Sequence, residues 1–158
     1  MSADEVHRRD TEKEVVYRDL IRGRIPLMPG CHELLAALQK AGLLLAVATS
    51  GPPENLELVL REGDLGHYFA ATVNGCDISH GKPLPDCFLL AAERLGLPPS
   101  ACTVIEDAPV GIEAGRAAGM CVIALVGTYP PPQLRAAGAT HVVHELREIT
   151  PELVARQP

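Results

Sequence analysis

Short apolar runs alternate with helical patterns along this 158-residue chain. A continuous apolar stretch, which suits a strand buried on both faces, is found at residues 43–48, and further short strands are predicted at residues 70–73, 102–105, 121–125 and 141–143. Amphipathic or capped patterns predict helices at residues 3–24, 31–42, 54–61, 86–95, 109–118 and 130–137. Strands that alternate with helices predict an α/β fold with a parallel, doubly wound sheet.

The most informative stretch, residues 103–120, combines a strand, a turn and a helix. Its β-branched run ends in Glu106 and Asp107, Pro109 suits the first helical position, and Gly119 suits the helix end. Ligands bind at the carboxyl ends of strands in open α/β sheets. The two acids therefore have two interpretations, a ligand site or a simple cap of the helix N-terminus, and taken alone neither prevails.

Two further loops carry polar groups at the same predicted sheet edge. Thr49 and Ser50 end the strand at 43–48, where hydroxyls and turn N–H groups can cradle a phosphate; an ordinary helix cap is the alternative. Lys82 lies between Gly81 and Pro83, which restrict the backbone around it. Its ammonium group can neutralise a phosphoryl group and orient a carboxylate, the alternative being a solvated lysine.

Three strings in this order and spacing carry a family resemblance: ATSG at 48–51, GKPLPD at 81–86 and EDAPVGIEAGRAAG at 106–119. They resemble motifs II, III and IV of the haloacid dehalogenase (HAD) superfamily, in its β-phosphoglucomutase and phosphoglycolate phosphatase-like branch. The resemblance covers about residues 10–143. It implies a Rossmann-like core and a HAD-type phosphatase or phosphomutase that acts with Mg²⁺ on a small phosphorylated metabolite.

The resemblance also implies roles for particular residues. Asp107 would bind Mg²⁺ directly, and Glu106 would bind it directly or through water, as suits hard oxygen ligands. Thr49 matches the phosphate-binding hydroxyl of motif II, with Ser50 as a neighbouring donor. Lys82 would hold the phosphoryl group, so that Lys82 and Asp107 are the expected catalytic residues.

One family motif is absent, because the sequence contains no D-x-D. In the family, D-x-D-G-T ends the first strand and supplies both the attacking aspartate and the general acid and base. We therefore expect an N-terminally truncated member that lacks its first central strand. Residues 1–28 would be a helical remnant of the cap domain and linker, and residues 29–158 the HAD-like core.

The missing motif leaves two functional alternatives to a phosphatase core. The chain could be a catalytically inactive module that binds phosphate and metal, or a hydrolase that uses Glu106 and Asp107 with a metal-activated water. The structural consequence is a gap between strands 43–48 and 103–106, where each unpaired buried backbone group costs about 1–3 kcal/mol. We expect either direct closure of the two strands or cover by a homodimer or complementing chain.

Composition restricts partners and location. The net charge of −6, without a block rich in Lys or Arg, argues against nucleic acid. No apolar run reaches the roughly 18 residues needed to span a membrane, and the charged first 14 residues do not form a signal peptide. The five scattered cysteines form no C-x-x-C pair, which suits small core residues in a reducing cytoplasm rather than a zinc site.

Overall fold

The computed structural model describes residues 3–155, so the predicted ends at 1–2 and 156–158 lie outside the described residues, as do the side chains of residues 3, 4 and 6–11. The α-helices are α1 Ala3–Ile21, α2 Cys31–Lys40, α3 Pro53–Glu62, α4 Asp86–Leu95, α5 Pro109–Ala117, α6 Pro131–Ala136 and α7 Pro151–Ala155. The strands are β1 Ala46–Ala48, β2 Ala71–Val73, β3 Thr103–Glu106, β4 Cys121–Leu125 and β5 His141–Val143. The predicted alternation of strands and helices is confirmed.

The strands form two separate parallel sheets, β1–β2 and β3–β4–β5. The central strand β4 is buried along its whole length, and its side chains alternate between two apolar layers. Val122 and Ala124 pack with α4, α5 and α6 on one face, whereas Ile123 and Leu125 pack with α2 on the other. Helices on both faces are what a parallel sheet requires, so the Rossmann-like α/β prediction is confirmed.

The prediction that the two central strands close directly on each other is wrong. Among residues 3–155, β1 pairs only with β2, and β3 pairs only with β4. The helix layers explain the separation: the cluster on one face joins α4 to strands of both sheets, and the cluster on the other joins α2 to Leu43, Leu45 and β4–β5. Close-packed helices thus bridge the gap and hold the sheets apart. Cover by a second chain stays a prediction.

A cleft of about 430 Å³ occupies the space between the two sheets. Residues 43–48 and 101–106 form its two side walls, while side chains from α4 and α2 line it above and below. β1 is shorter than the predicted strand at 43–48, and all three of its residues are only partly buried. A strand with a neighbour on one side only has half of the usual backbone partners, which accounts for the shorter element.

Helix α1 attaches to the rest of the chain mainly through polar contacts with α3. The Arg18 guanidinium donates to Asn55 Oδ1 at 2.8 Å, and Asn55 Nδ2 donates to Glu14 Oε2 at 2.5 Å. Hydrogen bonds from Lys13 and Asn55 lower the pKa of the Glu14 carboxyl. Leu20 remains largely exposed on this helix. Within the part of the chain that is described, no helix has the length and apolar character needed to cross a membrane.

Candidate active site

The centre of the candidate site is an ion pair between Lys82 and Glu106. Lys82 lies on the loop that precedes α4, and Glu106 is the last residue of β3; Lys82 Nζ contacts Glu106 Oε1. Both side chains are largely shielded from solvent, with 17% and 11% of their surfaces exposed. The ammonium also lies 4.9 Å from the ring centroid of Phe88, a cation–π contact from the first turn of α4. Lys82 thus contacts a carboxylate directly, and its role in the site stays a prediction.

The second oxygen of Glu106 faces the turn that leads into α5. Glu106 Oε2 accepts the backbone N–H groups of Asp107 at 3.1 Å and Ala108 at 3.3 Å. The turn and the positive helix end favour this charge. Gly111 lies directly against the carboxylate, because a Cβ at this position would overlap the Glu106 carboxyl group. Both oxygens of Glu106 are therefore engaged by groups of the chain itself.

Asp107 differs from Glu106 in being exposed at the same strand end. Its carboxylate makes no hydrogen bond or ion pair with any residue that the structure describes. Two adjacent carboxylates at a strand end fit Mg²⁺, which takes one or two such ligands and completes its shell with water and phosphate. Asp107 could therefore serve as a ligand, with Glu106 as its neighbour at the strand end. No group of three or more His, Cys, Asp or Glu side chains within residues 3–155 is arranged to hold a metal.

Thr49 and Ser50 lie on the turn after β1. Thr49 Oγ1 accepts the Gly51 N–H at 3.0 Å within the turn, and it does not cap α3, whose N-cap residue is Pro52 and receives no side-chain capping bond. The hydroxyl keeps its own O–H for a further partner. Ser50 lies close to the lysine loop, since its Oγ is 3.8 Å from the position of a Cβ on Gly81. The structure thus brings Ser50 to the Lys82 loop, and Thr49 lies at the base of the same turn.

The loop that carries Lys82 is held at both ends. Asp77 accepts the Asn74 N–H at 2.9 Å and forms an ion pair with Arg94 of α4 at 2.9 Å. The hydrogen bond from Arg94 lowers the pKa of Asp77. At the other end, Asp86 Oδ2 accepts the His80 N–H at 3.2 Å and lies 3.0 Å from His80 Nδ1. These contacts position the loop, and Asp86 has a structural part in them.

Two contributors to the site were missed from the sequence. The contact of the Phe88 ring with Lys82 could have been inferred from the sequence, because Phe88 is the first aromatic residue of the helix that follows GKPLPD. The close contact of Gly111 with Glu106 has a weaker signal, a glycine within the first turn of a helix. A third neighbour, Cys87, is fully buried, and desolvation raises the pKa of its thiol, so it acts as a small packing residue.

A family model described as haloacid dehalogenase-like hydrolase matches residues 2–119, about three quarters of the sequence. The chain belongs to this family. The resemblance drawn from the three motifs is therefore confirmed. The hydroxyl turn and the acidic pair lie at the carboxyl ends of β1 and β3, and the Lys82 loop lies against them.

Individual relatives agree with this assignment. Hexitol phosphatase A of Escherichia coli is 38% identical over 136 residues, which cover 85% of this chain and 59% of that protein. A family IA variant 3 HAD hydrolase from Entamoeba histolytica superposes with a TM-score of 0.89 at 29% identity, covering 98% of this chain and 71% of that one. CbbY from Rhodobacter sphaeroides, in complex with xylulose-(1,5)bisphosphate, gives a TM-score of 0.76 at 31% identity, covering 92% and 64%. The chain thus spans less than two thirds of the curated relative.

Proposed function

We propose that this HAD-like chain is the phosphate- and metal-binding core of a Mg²⁺-dependent phosphatase that hydrolyses a small phosphomonoester. The observation that carries the proposal is the shielded Lys82–Glu106 pair beside the free carboxylate of Asp107. A fixed cation next to a carboxylate available for metal is the arrangement that binds and neutralises a phosphoryl group. We place the reaction in a reducing cytoplasm, which the free thiols of all five cysteines support.

The proposed substrate is a phosphorylated sugar or sugar alcohol. Hexitol phosphatase A is named for such a substrate, and the superposed CbbY structure holds a sugar bisphosphate. A cavity of about 610 Å³ adjoins Thr49 and lies between α1 and α3. Its polar lining includes Glu14, Tyr17 and Asn55, which can hydrogen-bond hydroxyl groups. A cavity of this size suits a small metabolite. In this proposal residues 1–28 border the substrate, and residues 29–158 form the core.

Each site residue has a distinct role in the proposal. Lys82 and the hydroxyls of Thr49 and Ser50 bind the phosphoryl oxygens, and Phe88 helps to hold the Lys82 stem in place. Asp107 would hold the Mg²⁺ ion, and Glu106 would support the site by holding Lys82 and ordering the turn. The bound ion supplies positive charge that neutralises and orients the phosphate.

The attacking group is the part of the reaction that the site does not supply, since the sequence contains no D-x-D. Hydrolysis routed through Glu106 would require its oxygens to leave Lys82 and the turn N–H groups, which counts against this alternative. Binding without turnover remains the second candidate. The contacts that hold Glu106 favour this candidate, because they leave Asp107 as the free carboxylate of the acidic pair.

Replacing Asp107 with asparagine is expected to weaken binding of Mg²⁺ or Mn²⁺ by at least about tenfold, because the free carboxylate is lost from a site with few ligands. Calorimetry or Mn²⁺ relaxation measures the change directly. Glu113→Gln is the matched control, since it removes an exposed carboxylate from α5, and it should bind metal like the original protein. Equal metal affinity of the Asp107→Asn and unchanged proteins would contradict the proposed metal site.

Turnover of an aryl phosphate with Mg²⁺, measured on the same three proteins, separates the candidate functions. Hydrolysis that is lost in Asp107→Asn and kept in Glu113→Gln supports the phosphatase. Metal binding without hydrolysis supports the binding module. Hydrolysis that persists in Asp107→Asn contradicts the assignment of Asp107 to the reaction.

Replacing Lys82 with methionine is expected to weaken binding of phosphate or tungstate by about tenfold or more, the effect of one lost charge-assisted hydrogen bond. Methionine retains a stem that can pack on Phe88, so the change isolates the charge. Lys40→Met, at the exposed end of α2, is the control for loss of one positive charge elsewhere. Calorimetric titration measures oxyanion binding by the two variants. Equal weakening in both would contradict the assignment of Lys82 to the site.

A further inference from the structure

The loop that carries Lys82 also carries an imidazole, His80, to which the proposed function gives no role. His80 precedes Lys82 by two residues, so at most about 7 Å separates their Cα atoms. Gly81 lies between them, and Ser50 Oγ of the hydroxyl turn is 3.8 Å from the position of a Cβ on this glycine. His80 therefore lies at the edge of the candidate phosphate site.

The two polar side chains of this loop differ in exposure. The Lys82 side chain is 17% exposed, whereas the His80 side chain is 64% exposed. A phosphoryl group bound at Lys82 would occupy the shielded part of the site, and the carbon chain of its ester would extend toward solvent. The alcohol part of a phosphomonoester would therefore lie on the exposed side of the loop, where His80 is available.

Asp86, the first residue of α4, holds the imidazole ring of His80. Its Oδ2 accepts the backbone N–H of His80 at 3.2 Å and lies 3.0 Å from Nδ1. Because a carboxylate can only accept hydrogen bonds, this pairing assigns a proton to Nδ1. In the neutral ring Nε2 is then an acceptor, and it has no partner among the residues that the structure describes. The ring is thus held with one nitrogen free for a ligand.

The same contacts have a structural interpretation, in which Asp86 only fastens the loop to α4. The bond to the backbone N–H of His80 is sufficient for that purpose, and almost any residue at position 80 would supply it. The imidazole adds a ring nitrogen that fastening does not require. The ring nitrogen is therefore the feature that points to a ligand.

We propose that His80 is a specificity-determining residue, whose Nε2 accepts a hydrogen bond from a hydroxyl group in the alcohol part of the substrate. This inference rests on the proposed function, because it takes Lys82 and the hydroxyl turn as the phosphoryl site. An alkyl chain offers no donor to Nε2, so the site should prefer a hydroxylated phosphomonoester. One neutral hydrogen bond corresponds to a preference of about two- to tenfold.

The test compares the binding of inorganic phosphate, n-propyl phosphate and glycerol 1-phosphate by calorimetry. Glycerol 1-phosphate has the carbon chain of propyl phosphate with hydroxyl groups added, so the ratio of their Kd values (propyl over glycerol phosphate) measures the hydroxyl preference. We expect a ratio of about two to ten in the unchanged protein and about one in His80→Ala. Inorganic phosphate has no carbon chain, and its Kd should change by less than about twofold in His80→Ala.

His144→Ala is the matched control. His144 is also exposed, and its backbone N–H likewise donates to a carboxylate, Glu148 Oε1, at 2.8 Å. The substitution removes an imidazole of the same kind far along the chain from the Lys82 loop. This variant should keep the Kd ratio of the unchanged protein.

Nitrogen-15 spectra of histidine-labelled protein test the part that Asp86 plays. The His80 signals are identified by their loss in His80→Ala, and in the neutral ring we expect the proton on Nδ1. In Asp86→Ala the proton should shift in part to Nε2, and the Kd ratio should fall with it. Because the ratio compares two ligands on one protein, it cancels any general loss of phosphate affinity in this variant.

Several results would overturn the inference. They are a Kd ratio of about one in the unchanged protein, a ratio that His80→Ala leaves intact, and equal weakening of all three ligands in His80→Ala. A proton on Nε2 of the neutral ring in the unchanged protein would also overturn it. Failure of the unchanged protein to bind any of the three ligands would overturn the proposed function as well. Phosphate binding with a ratio independent of His80 would overturn this inference alone.

Discussion

Replacing Ile112 with alanine is expected to lower the free energy of unfolding by about 2–5 kcal/mol, the largest effect on stability that we predict. Ile112 lies in α5, has no exposed surface, and belongs to the cluster that joins α4, α5 and β4. Removal of three side-chain carbons there loses apolar burial and leaves a cavity that close-packed neighbours fill only partly. Urea denaturation followed by circular dichroism measures the loss.

The control for this substitution lies on the same helix. Val110 is 48% exposed, so Val110→Ala should change the free energy of unfolding by no more than about 0.5 kcal/mol. Equal losses for the two variants would mean that α5 does not pack as described. A large loss for Ile112→Ala alone would confirm that the helix bearing the acidic turn is fixed by its buried face.

Replacing Gly111 with alanine is expected to cost about 1–3 kcal/mol and to displace the Glu106 carboxylate from Lys82. The added methyl group would overlap the Glu106 carboxyl group, which has little room to move because it is held by the ammonium and by two turn N–H groups. The same variant should therefore bind phosphate and Mg²⁺ more weakly. Denaturation and calorimetry on one sample measure both effects.

Gly127→Ala is the matched control for this change. Gly127 has no neighbour within 4 Å of an added Cβ, so alanine there should alter neither stability nor binding. Loss of stability in Gly111→Ala with full binding would show that Glu106 and Lys82 tolerate displacement. Unchanged stability and binding would show that the glycine is not required where we place it.

Much of the site was predictable because its residues lie in loops whose sequence restricts them. Lys82 lies between a glycine and a proline, and Glu106 and Asp107 follow a short strand and precede a helix-opening proline. The family resemblance gave the two acids different roles, but the sequence did not reveal that Lys82 and the turn would engage Glu106 and leave Asp107 exposed. The difference arises from direction: Glu106 faces the lysine and the turn, whereas Asp107 faces solvent.

The fold was predictable where the local sequence pattern determines an element. It was less predictable where neighbouring elements determine the length or the spacing of a strand. The alternation of apolar runs and helices predicted the parallel strands, but the pattern at 43–48 overestimated β1, because strand length depends on what lies alongside it. Direct closure of β1 on β3 was wrong for a similar reason. Helix packing above and below the sheet fixes the spacing of its strands, and a sequence pattern carries no measure of that spacing. Helix α7 was missed in a weakly patterned tail.

The division of the sheet has a consequence for how the molecule opens. β4 is buried throughout and has a strand on each side, whereas β1 is partly exposed and has one. Local opening should therefore begin in the smaller half, which carries Thr49 and Ser50, while the larger half carries Asp107. An anion bound by residues of both halves at once would oppose this local opening. Its affinity would therefore include the free energy needed to keep the two halves together.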